Sequence, residues 1–335
     1  MAMTDWHQFL AQRTTAANHA GPDGNFVTVL AHLGLIRVTG EDAANFLHNQ
    51  LTNDVLQLGT DQVRLAGYCT PKGRLLASVW TWRANDAIVL ALDAALQAAV
   101  QKRLQMYVLR AKVSLTDINA EQVLLGLGGP AAGALLRQWF EVLPDAPFLT
   151  VDSAHGTLIR MADAHGAPRF QWMTTPAQAM VLWPTLSAAL APVTDNQWWL
   201  GDIAAGIPQV TLATVEQFVP QMINFDLIGG VNFKKGCYPG QEIVARSQYL
   251  GKQKRRMLAA TVVAKRVGPG DEVFAADDQE QPCGMVVNAA LGADGLFHCL
   301  VELKTAAAES GPVQLGAGGA PLQFVPLPYD LPDPA

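Results

Sequence analysis

Apolar and polar positions along the chain change period often and divide it into short elements. Residues 26–40, FVTVLAHLGLIRVTG, predict a pair of strands after a short N-terminal helix. A helix follows, with Ala43, Phe46, Leu47 and Leu51 on one apolar face and Thr39 with Asp42 as its capping box. From Gln62 the text QVRLAGYC, TPKG, RLLASVWTW, RAND, AIVLAL reads strand, turn, strand, turn, strand. Asp93 to Tyr107 then carries Leu96, Val100, Leu104 and Val108 at helical spacing. A second stretch, 113–190, mixes strands such as QVLLGL and GTLIRMA with helices at 131–140 and 176–190. From Arg256 onward short alternating strands are cut by GPGD, AADD, GADG and a Gly-rich run, with no helix, which predicts a small antiparallel barrel. The irregular order of strands and helices predicts an α+β fold.

Composition narrows the class. Half of the 335 residues are hydrophobic and 16% are charged, which excludes intrinsic disorder. A net charge of -6 and a pI near 5.6 exclude attraction of the whole chain to nucleic acid or to an anionic membrane. The opening MAMTDWHQFLAQRTTAANHA has no basic and apolar leader pattern, and no apolar run approaches the ~20 residues that span a bilayer. A cytoplasmic protein without a membrane partner is expected. Cys69, Cys237, Cys283 and Cys299 lie far apart without a CxxC pair, so reduced thiols are expected.

Three features carry candidate chemistry. Gly126, Gly128 and Ala131 in GLGGPA have dinucleotide-binding spacing, with Asp152 downstream. Pro130 at the helix start and the lack of a second βαβ half favour a plain strand-to-helix turn. The seven histidines show no HxxxH spacing, so no metal site is expected, and neither GxSxG nor GxxxxGK[ST] occurs.

The informative stretch is Asn232–Arg246, NFKKGCYPGQEIVAR. Cys237 follows Lys234, Lys235 and Gly236 and precedes a Pro-Gly turn into a helix whose Ile243, Val244 and Leu250 share a face, with Glu242 and Arg246 four apart. Two lysines and a helix N-terminus both favour a thiolate, whereas a cysteine serving as a small hydrophobe would be inert. Between Lys234 and Arg256 seven cations and one acid give +6, against -12 elsewhere. Such a window suits an anion, for instance tRNA phosphates, or is a solvated linker.

The segment Lys235-Gly236-Cys237-Tyr238-Pro239-Gly240-Gln241-Glu242 resembles the signature of the YgfZ family, folate-binding relatives of the glycine-cleavage T-protein. Residues 39–55, 70–77, 107–113, 204–208 and 218–233 resemble family segments in the same order. The resemblance implies a T-protein-type cloverleaf around a folate-sized cavity. Residues 1–250 would form two interleaved α+β subdomains, 1–115 with 195–250 and 116–194; 251–328 would be the barrel and 329–335 a tail. It further implies tetrahydrofolate or a one-carbon derivative as cofactor, and iron-sulfur client or assembly proteins as partners. Through such clients it implies indirect support of tRNA modification.

Carried over, Cys237 is the functional thiol with Lys235 beside it, and Trp198, Leu33, Tyr238, Gln241 and Glu242 are the cofactor-side residues. Trp198 would meet the pterin or sit in the core. The chain departs from its relatives where Leu33 replaces a second tryptophan and Ala204 a pterin-binding glutamate, a charge-assisted contact worth ~1.5 to 3 kcal/mol. Leu76, Ala77 and Ser78 stand where aminomethyltransferases place an aspartate, which disfavours the alternative activity, folate-dependent one-carbon transfer.

Overall fold

The computed structural model describes residues 2–12, 17–21, 24–249 and 253–332. In chain order it has α1 (Ala2–Ala11), β1 (Phe26–Val29), β2 (Leu33–Thr39), α2 (Ala43–His48), β3 (Val63–Cys69), β4 (Leu75–Ala84) and β5 (Ala87–Asp93). There follow α3 (Ala94–Val108), β6 (Ser114–Asp117), β7 (Val123–Gly128), α4 (Pro130–Leu136), β8 (Thr150–Ser153), β9 (Gly156–Ala164) and β10 (Ala167–Thr174). Next come α5 (Pro176–Ala189), β11 (Ala191–Pro192), α6 (Asn196–Ala204) and α7 (Gln241–Tyr249). The chain ends with β12 (Arg255–Val262), β13 (Glu272–Ala275), β14 (Gly284–Leu291), β15 (Phe297–Lys304), α8 (Thr305–Ser310), β16 (Val313–Leu315) and β17 (Gln323–Val325). These elements pack as two units, Met1–Ala44 with Gln57–Arg64 and Trp80–Gly201, and Asn45–Leu56 with Leu65–Val79 and Asp202–Ala335.

In the first unit a sheet ordered β11-β1-β7-β10-β9-β8 is buried on both faces. Successive side chains of a strand point to opposite faces, so each strand feeds two cores. Val27, Leu125, Leu127, Phe170 and Trp172 pack with Trp6 and Trp183 of α1 and α5. Phe26, Leu124, Ile159 and Met173 pack instead with Leu35, Trp82 and Val89 of a second sheet. In that sheet β5 lies between β4 and β2, and β6 is at the edge beside β2. Thr175 caps α5 by accepting from the Gln178 amide, and Pro176 fills the first helical position, where its missing N–H has no cost.

The glycines of GLGGPA serve packing. β7 is antiparallel to both β1 and β10, so no βαβ unit exists there. A Cβ on Gly126 would lie 2.6 Å from the Trp198 ring, and one on Gly128 2.3 Å from the Phe26 ring. The expected Thr39–Asp42 capping box does not form. Thr39 ends β2, and the Asp42 carboxylate instead accepts the Lys112 amide at 2.8 Å.

The second unit ends in the antiparallel sheet expected from the turn pattern, ordered β16-β13-β14-β15-β12-β17 and curled as a half-barrel. A bulge between Val286 and Asn288 of β14 adds to the curl. Asn288 uses it to bond both backbone groups of Gln209, at 2.8 and 3.0 Å. α8 corrects the expectation of a helix-free C-terminal region; it is a six-residue link with no buried residue. The Pro-rich end is anchored, because the Tyr329 hydroxyl donates to Gly206 O at 2.8 Å and burial pushes that phenol up to about 12.

A buried ion pair stabilises the half-barrel's start. The Arg256 guanidinium grips both oxygens of Asp226 at 2.7 and 2.9 Å, and both side chains are almost wholly buried. Removing one member leaves an uncompensated charge in a weakly polarisable interior. Arg256→Met is expected to lower stability in urea unfolding by roughly 3 to 5 kcal/mol, and the double variant with Asp226→Leu by clearly less than the sum of the single changes. Additive losses would contradict the coupling.

Candidate functional site

In the second unit the segment after α2 is stitched to the strand that follows it by short polar side chains. Thr52 Oγ1 accepts from the Gly67 amide and donates to Gly230 O, both at 2.6 Å. Asn53 Nδ2 donates to Leu65 O and Gly229 O, both at 2.7 Å. These buried bonds fix residues 229–232 at the entrance to the signature segment, since an unpaired amide here would carry its full desolvation penalty.

Lys235 then turns inward. Its ammonium donates to His48 O and, at 2.8 Å, to Leu51 O, the carbonyls at the open C-terminal end of α2, where a cation is favoured. It also stands 4.8 Å from the centre of the buried Tyr238 ring. Desolvation lowers its pKa to about 8 against the opposing pull of Asp54 and Cys237, and burial pushes the Tyr238 phenol far upward.

Downstream, two glycines meet. Gly240, at φ +84°, lies so close to the Thr70–Gly73 turn that a Cβ would sit 2.5 Å from Thr70 O and 2.7 Å from Gly73 N. Gly73, at φ +70°, in turn faces Ile243. The KGCYPGQE and TPKG segments are therefore two sides of one contact. It starts α7, where the Val244 amide bonds Gly240 O at 3.2 Å.

Between these anchors Cys237 is exposed, and all four cysteines are free. Burial pushes Cys69 and Cys299 up to about 12 and raises Cys283, so those thiols are inert. Gln241 and Glu242 open α7, the first half-buried and the second exposed. Val244 is buried and Ile243 partly exposed; Leu250 lies outside the described residues. No ion pair joins Glu242 to Arg246 among the described residues.

Three of the seven cations of the basic window are used internally. Arg255 binds the buried Glu302 at 2.5 and 2.8 Å, Arg256 binds Asp226, and Lys235 is buried. Lys234, Arg246 and Lys254 remain exposed, and Lys252 lies outside the described residues.

The expected pterin residues belong to the first unit. Leu33 packs against the same apolar cluster that contains Trp198. Trp198 is 2% exposed, with the Arg169 guanidinium 4.8 Å from its ring centre, so it offers no open stacking face. Three polar side chains lie in this region. Thr28 and Gln171 flank Gly126 in the ladder beside Trp198, and Thr28 Oγ1, Gln171 Nε2 and Trp82 Nε1 are buried without a partner among the described residues. Among the described residues no three His, Cys, Asp or Glu side chains are grouped to hold a metal.

Residues 23–162 match the GCVT N-terminal domain family. Across 97% of this chain and 89% of that chain, the structure is similar to the glycine cleavage system aminomethyltransferase T from Bartonella henselae, at 18% identity and a TM-score of 0.72. The chain has the T-protein fold. Heterotetrameric sarcosine oxidase from Corynebacterium sp. U-96, in complex with pyrrole 2-carboxylate, matches 55% of this chain and 96% of that chain at 19% identity; its TM-score of 0.36 is too low to bear on the argument.

Within this fold, sequence reasoning singled out Lys235, Cys237 and Tyr238 but not His48 and Asp54, whose side chains meet at 3.1 Å and to which the Lys235 segment is tied. Only the run LHNQLTND hinted at them, as polar residues among buried Leu47, Leu51 and Val55. The expected pH dependence follows from Lys235. Its native amine loses a proton near pH 8 and its unfolded amine near 10.5, so its contribution is complete above 10.5 and lost as pH falls through 8. Between pH 8 and 10, the stability of the native sequence relative to Lys235→Met is expected to rise by roughly 1 kcal/mol per pH unit. A difference independent of pH would contradict the burial of a titrating amine.

Proposed function

We propose that the chain is a folate-binding accessory protein of the YgfZ type, whose Cys237 thiol works in the assembly or repair of iron-sulfur clusters. The observation that carries this reading is the folded signature segment. Of four cysteines only Cys237 is exposed, between a lysine and a tyrosine that are both buried.

The T-protein fold and the GCVT N-terminal match support tetrahydrofolate or a one-carbon derivative as the ligand. Thr28, Gln171 and Trp82, whose buried polar atoms lack partners, would hold the pterin beside Trp198 and Leu33. A bound reduced folate supplies a nitrogen that accepts or delivers a one-carbon unit. Lys235 and Tyr238 hold the chain on either side of Cys237, and exposure leaves the thiol open to a client protein.

Aminomethyl transfer has less support. Leu76 and Ala77 carry no carboxylate, and the Ser78 hydroxyl is occupied in accepting the Val210 amide at 2.9 Å. That stretch of β4 therefore offers no general base.

The test is complementation. In cells lacking the endogenous protein, the native sequence is expected to restore the activity of an iron-sulfur enzyme, while Cys237→Ser, at equal abundance and equal thermal stability, restores little or none. Full rescue by the serine variant would remove the chemical role of the thiol.

A further inference from the structure

We propose that His48 is a further catalytic residue, whose Nε2 takes the proton of the Cys237 thiol, with Asp54 as its positioning residue. This rests on the reading of Cys237 as the working thiol and adds to it the base that activates it.

The imidazole is oriented by a carboxylate and stands against the residue that precedes the thiol, the arrangement from which an oriented base can serve a nucleophile. His48 ends α2 with 7% of its surface exposed. Its Nδ1 meets Asp54 Oδ1 at 3.1 Å, which places the ring proton on that side and leaves the lone pair on Nε2. Nε2 takes no hydrogen-bond partner among the described residues, although nine-tenths of the residue is buried. It points at the signature segment, 3.3 Å from where a Cβ would stand on Gly236, the residue before Cys237. A side chain at Gly236 would cover that nitrogen.

The two elements are tied together at this point. Lys235 donates to the backbone oxygen of His48 itself, so the segment carrying the thiol is hung on the residue carrying the base. Other ionisable groups among the described residues lie close by. The Lys235 ammonium is held by two carbonyls against the Tyr238 ring, Tyr238 and Cys69 are kept neutral by burial, and Lys234 is exposed. Asp54 is the acid in contact with the imidazole and stabilises the imidazolium once it forms.

In the step itself the S–H proton of Cys237 passes to His48 Nε2, giving a thiolate and an imidazolium. The thiolate then attacks a soft electrophile. With iodoacetamide as probe the S–C bond forms, the C–I bond breaks and iodide leaves, so no oxidant or reductant is needed.

The experiment follows carbamidomethylation of the native protein by intact mass between pH 6 and 10, for the native sequence, His48→Gln, Asp54→Asn, and a free peptide of residues 234–242. Cys237 in the native sequence is expected to react at pH 7 at least about tenfold faster than the peptide thiol. His48→Gln is expected to lose most of that advantage at pH 7 and to converge with the native sequence near pH 10, where ordinary thiols ionise unaided; Asp54→Asn should fall between. Superimposed profiles for the native sequence and a folded His48→Gln would overturn the proposal. If circular dichroism shows that His48→Gln does not fold, the comparison with the peptide decides, because equal rates at pH 7 would overturn it as well. Alkylation reads the thiol and complementation reads the accessory role, so the two can fail separately. An unaccelerated thiol in a rescuing protein removes only the base, whereas rescue by Cys237→Ser removes the chemical role of the thiol even where alkylation shows that His48 activates it.

Discussion

A buried ammonium on two helix-end carbonyls is the constraint on which the candidate site depends. A lysine taken out of water is costly unless its donors are matched, and Lys235 finds His48 O and Leu51 O at the end of α2 together with the face of Tyr238. Because the amine can reach those carbonyls from few backbone positions, the residues after it are placed too: Gly236 against His48, Cys237 toward solvent, Tyr238 back into the interior. The partial desolvation that lowers the lysine's pKa is the cost of this placement.

The second constraint is steric. Gly240 and the Thr70–Gly73 turn approach so closely that a side chain on Gly240 would strike the turn, and one on Gly73 would press on Ile243 of the helix that follows. Two segments about 170 residues apart, which resembled one family independently, thus support a single turn into α7. The thiol is suspended between an electrostatic anchor on one side and a packed turn on the other. A flexible loop would present a cysteine as well, but it would not hold the preceding Gly236 against the His48 ring.

Much of the fold was legible because it follows local period. The runs QVLLGL and GTLIRMA marked β7 and β9, and Leu96, Val100 and Leu104 marked α3. The curled C-terminal sheet followed from its turns, whereas α8 was missed because its sequence, TAAAES, is barely more than one turn and packs only the small Ala307 and Ala308 against the core. The capping box failed because Asp42 is claimed by Lys112, seventy residues away, a contact that no local pattern encodes. Charge counting could not show the pairing of two arginines for the same reason. Arg255 and Arg256 look like the end of a basic surface, yet their partners Glu302 and Asp226 are 47 and 30 residues distant. His48 was passed over because histidines were weighed as metal ligands by spacing, while its role comes from one carboxylate six residues on and one glycine 188 residues on. In the expected ligand region, Trp198 was legible as an aromatic that meets a pterin or sits in the core, and it sits in the core. The unpartnered atoms of Thr28, Gln171 and Trp82 become visible only once three strands and a second sheet are assembled.

The central claim is that this T-protein scaffold still takes a folate despite Leu33 and Ala204. The measurement that tests it most directly is calorimetric titration of the purified protein with tetrahydrofolate and its 5-formyl and 5,10-methenyl forms, paired with thermal unfolding. The account predicts saturable binding at one site with at least one form, and a stabilisation of about 2.7 kcal/mol at a hundred times its dissociation constant. No heat and no stabilisation with any of the three would contradict it.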